Sequence, residues 1–282
     1  MRVRIWGTRG SLASPGADTS RYGGNTSCVE VRGRDGTVLV LDAGTGIRPL
    51  GGTIPLELHR VDVMLTHLHM DHIQGLGFFE PLLDPSMEVH IWGPASTTMN
   101  LRTRLLRYLS PPLFPVHLRD LPCELVLHEV PAGEVEIGGF KVRSALVCHP
   151  GPTVGYRIST EDASLCYLPD HEPALGASRF PLDPEWTSGY ELAAGVDLLI
   201  HDAQYTEKEY PRHAGWGHSS YEQAAAFAAL AGVHRFIPFH HDPARNDRRL
   251  DRQMEELARK VKPPLVIGPG VEGAIYDLPE RS

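Results

Sequence analysis

Four potential metal ligands fall within six residues in Thr66-His67-Leu68-His69-Met70-Asp71-His72, directly after the apolar run Val61-Asp62-Val63-Met64-Leu65. Three imidazoles and a carboxylate at the end of a buried strand are costly to desolvate unless an electropositive centre neutralises and orients them. A divalent cation does that best. The plain alternative is a polar loop with its histidines in water, and the ligand-type residues that end several later strands argue against it. On an extended segment His67 and His69 project to one side and can share an ion, whereas Asp71 and His72 lie beyond a turn and face elsewhere. One loop therefore serves two metals, and any fold for this chain must bring further ligands to the end of that strand.

The chain has 282 residues and is 41% hydrophobic, ample for a sizeable core. It shows no internal repeat and no low-complexity linker, so a single domain over 1–282 is expected. Lys and Arg number 27 against 35 Asp and Glu, a formal charge of −8. Local basic patches aside, such a surface exerts no general pull on a polyanion, and long nucleic acid is an unfavoured partner. Cys28, Cys123, Cys148 and Cys166 lack C-x-x-C spacing and sit mostly in strand-like runs, which reads as buried reduced thiols. Met1 to Trp6 alternates polar and apolar residues as a strand does, without the continuous apolar stretch of a signal peptide. No apolar run approaches the length of a membrane span, so a cytoplasmic protein with no membrane partner is expected.

Strands are expected near 1–6, 28–32, 37–41, 61–65, 88–92, 123–129, 134–137, 140–148, 154–159, 163–168, 196–200, 235–239, 265–267 and 273–277. Helices are expected over 73–83, 95–108, 189–194, 221–231 and 246–261. Residues 7–27 form a Gly-, Ser- and Thr-rich connection long enough to be functional, although a plain surface loop also fits its composition. Asp42, before Ala43-Gly44-Thr45-Gly46, either hydrogen-bonds a metal-bound histidine or only begins a turn. Arg102, Arg104 and Arg107 read as a solvated basic face ahead of an anion site. Ser110-Pro111-Pro112-Leu113-Phe114-Pro115 is too proline-rich for helix or strand and carries an exposed-looking aromatic; it is a lid or a stiff connector. Later strands end in ligand types: His149, Asp170-His171-Glu172, His201-Asp202 and His240-His241-Asp242. The loop Gly215-Trp216-Gly217-His218-Ser219-Ser220 opens an alanine-rich helix that Ser219 or Ser220 can cap.

Taken in order, Gly7-Thr8, Asn25-Thr26-Ser27, Asp42, His67-x-His69-x-Asp71-His72, His149, Asp170, His201-Asp202-Ala203, Gly217-His218-Ser219 and His240 resemble the metallo-β-lactamase superfamily. Within it they resemble the ribonuclease Z-like phosphodiesterase branch. The histidine box alone marks the superfamily; Asp170 and the late Gly-His-Ser narrow the branch. The resemblance implies an α/β fold, an αββα sandwich with two central mixed sheets, helices on the outer faces and the site at one edge. It implies two divalent metal ions per chain, with zinc expected and manganese or iron also suited to nitrogen and oxygen donors. His67, His69 and His149 would hold one ion, Asp71, His72 and His240 the other, and Asp170 would bridge them. His240 is preferred to His241 because it directly follows the apolar strand.

The same resemblance implies phosphodiester hydrolysis by a metal-bridging hydroxide, with Asp71 accepting a hydrogen bond from the water, His218 as general acid and Asp202 orienting it. For His218 the plain alternative is a helix-capping loop histidine. Members of the branch that process tRNA precursors carry a protruding glycine- and basic-rich arm that grips the tRNA. No insertion of that character lies between these motifs, which favours a small-molecule substrate, a cyclic nucleotide or cyclic sugar phosphate, over a tRNA 3′-processing endoribonuclease. A glyoxalase II-like thioesterase shares the box and Asp170 but leaves His218 with Asp202 unexplained. A non-catalytic nucleotide-binding protein would not need the full ligand set. A homodimer remains an open expectation.

Overall fold

The computed structural model describes residues 1–130, 133–177 and 180–279. Short aliphatic and β-branched runs, punctuated by Gly, Pro and Asp, form the strands. Those that become the first sheet are β1 (Arg2–Gly7), β2 (Cys28–Arg32), β3 (Val38–Leu41), β4 (Arg60–Met64), β5 (Glu88–Gly93) and β6 (Glu124–Glu129). The second sheet takes β7 (Gly133–Ile137), β8 (Phe140–Leu146), β9 (Val154–Ser159), β10 (Ser164–Leu168), β11 (Leu198–Asp202), β12 (Arg235–Phe239) and β13 (Val266–Ile267), while β14 (Ile275–Asp277) returns to the first. Six α-helical segments accompany them among the described residues: α1 (Ile47–Gly51), α2 (Met70–Ile73), α3 (Leu101–Leu105), α4 (Tyr190–Ala193), α5 (Tyr221–Leu230) and α6 (Asp247–Lys260).

The two seven-stranded sheets run β14-β1-β2-β3-β4-β5-β6 and β13-β12-β11-β10-β9-β8-β7. Both are mixed in the same way. Neighbours are antiparallel from β14 to β3 and from β7 to β10, then parallel from β3 to β6 and from β10 to β13. Side chains alternate across each strand, so each sheet has two faces to bury. Ile5, Val31, Leu41 and Met64 meet Phe140, Tyr156, Tyr167 and Phe239 between the sheets. On the outer face of the first sheet, Val40, Val63 and Ile91 lie under Leu50 and Leu105. On that of the second, Cys166, Leu199 and Phe236 lie under Leu192, Phe227 and Leu257. The layers are therefore helix, sheet, sheet, helix, the αββα sandwich expected.

Several local expectations are corrected. Residues 73–83 do not form one helix: the chain makes the single turn α2 and two 3-10 turns, Leu76–Phe78 and Glu80–Leu83. A Cβ at Gly75 would sit 2.2 Å from the Gly44 carbonyl oxygen and one at Gly77 2.5 Å from the Phe114 ring, and Pro81 lacks an amide to donate. The 95–108 helix shrinks to α3, capped by the Asn100 side chain on the Thr103 amide at 2.8 Å. Arg104 turns inward onto the Pro94 carbonyl, leaving Arg102 and Arg107 exposed. Phe114 is buried against Phe78 and Tyr108, so segment 110–115 is pinned to the core instead of showing its ring to solvent. Helix α1, interrupted in pattern by Pro49, was not legible in the sequence. Ser220 caps α5 in a reciprocal box with Gln223. All four cysteines are free thiols. No helix among the described residues is long and apolar enough to cross a membrane.

Candidate metal centre and active site

Strands β3, β4, β8, β10, β11 and β12 all point their C-terminal ends at one edge of the sandwich, and each is followed there by a titratable side chain. Asp42 follows β3. His67 and His69 follow β4, and Asp71 and His72 ride on α2. His149 follows β8, Asp170 follows β10, Asp202 ends β11, and His240 follows β12. Loop 213–220 before α5 adds His218.

The donor atoms converge in two sets. One ligand atom each of His67, His69, His149 and Asp170 lie within 4.8 Å of one another, as do those of Asp71, His72 and His240. Asp170 faces both. Its Oδ2 lies 3.8 Å from His67 Nε2 and 3.7 Å from His149 Nε2. Its Oδ1 lies 2.9 Å from His72 Nε2 and 3.2 Å from His240 Nε2. His218 also approaches, its donor atom within 4.8 Å of those of Asp170 and His240.

Neighbours dictate which nitrogen each ring presents. His72 Nδ1 donates to Asp42 Oδ2 at 2.8 Å, His149 Nδ1 to the Gly217 carbonyl at 2.9 Å, and His240 Nδ1 pairs with Gln204 Oε1 at 3.1 Å. Nε2 is thereby left as a lone pair aimed inward. Thr66 Oγ1 sits 3.1 Å from His67 Nδ1, with the same result. His69 instead turns Nδ1 inward, 3.2 Å from His149 Nε2. Asp42 also takes the Thr66 amide at 2.7 Å and the Tyr167 hydroxyl at 3.1 Å. Of its two readings, the hydrogen bond to a candidate ligand histidine is the one observed.

This donor set fits divalent cations. His67 Nε2 and Asp170 Oδ1 are buried with no hydrogen-bond partner, and His72 Nε2 and His240 Nε2 face each other at 3.4 Å. Lone pairs so placed repel unless a positive charge stands between them. Burial opposes charge on His72, yet Asp170, Asp71 and Asp42 hold its pKa well above the ordinary value. The cluster demands positive charge, and a cation supplies it where otherwise a proton must. The His and Asp clusters are thus consistent with a dinuclear metal site.

His218 lies beside this floor. Its Nδ1 donates to Asp202 Oδ2 at 2.6 Å, and Asp202 Oδ1 accepts the amides of Ser219 and Gln204 at 2.9 and 3.1 Å. The ring stacks on His240 with centroids 4.9 Å apart. Burial pushes its pKa down, but Asp202, with Asp170 and Asp71 behind it, carries it up to about 9. His241, the alternative ligand, turns away and bonds the Gly270 carbonyl at 2.9 Å.

Two contributors, Ser11 and Gln204, have no functional reading in the sequence, and a third, Glu172, reads there only as a ligand-type residue. Ser11 donates its amide to Asp71 Oδ2 at 2.7 Å. Gln204 holds His240. Buried Glu172 accepts the Gly215 and Gly217 amides, each at 2.9 Å, and the Tyr210 hydroxyl at 2.6 Å, which braces the His218 loop. The usable signal for Glu172 was its place two residues after Asp170. Ser11, Asp42 and His240 are also the non-glycine residues with positive φ among the described residues, at 59°, 59° and 58°. Such backbone costs on the order of 1–3 kcal/mol per residue, and all three cluster on the Asp71, His72 and His240 side.

Residues 37–241 match the model of the beta-lactamase superfamily domain. The chain belongs to the metallo-β-lactamase superfamily of metal-dependent hydrolases, among ribonuclease Z-like relatives. It is 30% identical to ribonuclease Z of Mycobacterium avium, over 86% of this chain and 87% of that one. Among solved structures it resembles the metallo-β-lactamase fold protein YhfI from Bacillus subtilis, with a TM-score of 0.70 and 19% identity over 98% of this chain and 99% of that one. A diphosphatase of the PhnP family gives 0.69 and 19%, covering 98% and 97%. Zinc-bound PqqB from Methylobacterium extorquens gives 0.69 and 19%, covering 99% and 100%.

Proposed function

We propose that this chain is a phosphodiesterase that hydrolyses small or cyclic phosphodiesters, such as cyclic nucleotides or cyclic sugar phosphates, with two divalent ions, zinc in the first instance. The observation that carries the reading is Asp170, whose two oxygens face two separate histidine sets, beside a His218–Asp202 pair that neither set needs. His67, His69 and His149 would hold one ion, Asp71, His72 and His240 the other, and Asp170 both. When bound, such ions neutralise charge on a transferring phosphoryl group and make water acidic enough to attack at neutral pH.

The chain's own residues supply the rest. Asp71, held by the Ser11 amide, accepts a hydrogen bond from the attacking water. Asp202 fixes the proton on His218 Nδ1, so that Nε2–H of the charged ring is the one offered to the departing oxygen. Tyr167, Thr66 and Asp42 hold the floor rigid behind His72. Small substrates are favoured by the long connections. Thr8, Arg9 and Tyr22 anchor the two ends of the 8–27 segment, and Leu101, Leu105, Leu109, Phe114 and Leu118 anchor the 94–123 segment. Neither has the glycine- and basic-rich character of a tRNA-gripping arm, and the −8 charge supplies no general substitute for one.

A second reading follows the relatives named ribonuclease Z: removal of a tRNA 3′ trailer. One experiment separates the two. Purified protein of known metal content is screened against cyclic mononucleotides, cyclic dinucleotides, cyclic sugar phosphates and precursor tRNA. The expected result is cleavage of one of the small classes with precursor tRNA largely uncut, and efficient trailer removal at physiological salt overturns it.

A further inference from the structure

Trp216 is 60% exposed, yet the chain goes to some length to hold it still. Both residues beside it are glycines with positive φ, 87° at Gly215 and 85° at Gly217. Both of their amides are fastened to the buried Glu172 carboxylate. A Cβ at Gly217 would fall 2.3 Å from His149 Nδ1, so the backbone here lies directly on a member of the metal-ligand set. The indole packs edge-on to His213 at 5.0 Å, His213 stacks on Tyr205 at 4.3 Å, Tyr205 meets His218 at 6.0 Å, and His218 stacks on His240. A ladder of rings thus runs from the centre to a rigid aromatic at the surface.

Two other exposed apolar side chains stand at the same centre. Leu12 follows Ser11, whose amide bonds Asp71, and Met70 opens α2 between His69 and Asp71. The polar floor is therefore flanked by exposed apolar groups from two loops and the start of α2. Exposed aromatics on well-held loops are costly to leave bare, and a flat ring is what an indole face covers best. We propose that Trp216 is the platform on which the planar group of the substrate, a nucleobase or comparable aromatic ring, lies while its phosphate reaches the His and Asp cluster. This rests on the phosphodiesterase reading and narrows it to nucleoside or aryl phosphodiesters over purely aliphatic ones.

The test uses binding as well as turnover. Calorimetry on the metal-loaded protein compares adenosine 5′-monophosphate with ribose 5-phosphate, which lacks the ring. Stacking of a base on an aromatic side chain is worth about 5- to 150-fold. Wild type should prefer the nucleotide by that factor, Trp216→Phe should keep most of the preference, and Trp216→Ala should bring the ratio close to one. In turnover, the KM rise caused by Trp216→Ala should be at least about fivefold larger for a cyclic nucleotide than for a cyclic sugar phosphate. A wild-type ratio of one, or a ratio unchanged in Trp216→Ala, overturns the platform. A Trp216-dependent preference in a protein that cleaves no phosphodiester upholds the platform and overturns the phosphodiesterase reading, whereas cleavage without any preference does the reverse.

Discussion

The first sheet brings its share of the centre in one burst, His67, His69, Asp71 and His72 from the single stretch that leaves β4 and forms α2, whereas the second sheet brings His149, Asp170, His218 and His240 one at a time from four connections. Yet the two sheets have the same pattern of antiparallel and then parallel strands. The difference lies in how each donor is oriented. Asp42, a carboxylate directly after β3 of the first sheet, holds His72, while the second-sheet rings are held by the Gly217 carbonyl, by Gln204 and by Asp202. The dense motif brings its own members together over short distances along the chain, although Asp42 and Ser11, which hold His72 and Asp71, lie 30 and 60 positions away. A dispersed set depends on the packing of several loops, and is the half more open to tuning.

The strongest way to break this comparison is to remove Asp170, whose two oxygens face both sets. Asp170→Ala should lower the metal content from two ions per chain to below one and reduce hydrolysis more than the roughly 10- to 100-fold typical of losing a residue that only orients a ligand. His67→Ala should chiefly empty one site. Elemental analysis that finds at most one ion in fully loaded wild type would show that the two sets do not act as a pair.

Next in size is the acid proposed from the second sheet. His218→Ala should slow hydrolysis of a nucleotide diester, whose leaving oxygen is strongly basic, by about 10²- to 10⁴-fold and that of a p-nitrophenyl phosphodiester far less. Asp202→Asn should show the same selectivity more weakly, and both variants should retain two ions. Equal losses on the two substrates would make His218 a phosphate-binding or structural residue.

A finer contrast concerns the residues behind the ligands. Gln204→Ala leaves His240 Nδ1 without its acceptor, and affinity for one ion should fall by about 10- to 100-fold while the other stays in place. Titration with a chelator, followed by metal analysis, reads this directly. Loss of both ions in parallel would mean that the two sets are not separable as drawn.

The smallest effect is on stability. Burial pushes His241 down to about 3 and His201 to about 4, both below the usual value near 6.5 of an unfolded chain. The unfolded state then binds more protons, so stability is intact above about pH 6.5 and is lost as pH falls toward 4, by up to about 1.4 kcal/mol per pH unit for each histidine. Urea unfolding of metal-free protein across that range should show a shallower slope for His241→Gln than for wild type. An identical slope would show that His241, although it adjoins a candidate ligand, does not titrate on unfolding.

Much of the centre was legible because local chemistry along the chain is enough to specify it. The spacing His67-x-His69-x-Asp71-His72 at a strand end, the strand-terminal positions of His149 and His240, and the Ser220 cap of α5 all follow from a strand's two-residue alternation or from orphan amides at a helix start. The αββα layering was implied by family resemblance and by strands followed by helices. Tertiary packing decided the rest. Gly75 and Gly77 broke the helix expected over 73–83 because Gly44 and Phe114 press on them from distant parts of the chain. Gln204 holds His240 in the cluster while Gly270 holds His241 away from it, and the contacts of Ser11 and Glu172 arise only where loops remote in sequence meet. A period or a cap is a property of neighbouring residues; a contact across 60 or 169 positions, such as the Ser11 amide bond to Asp71 or the approach of His240 to Asp71, exists only once the sheets have packed.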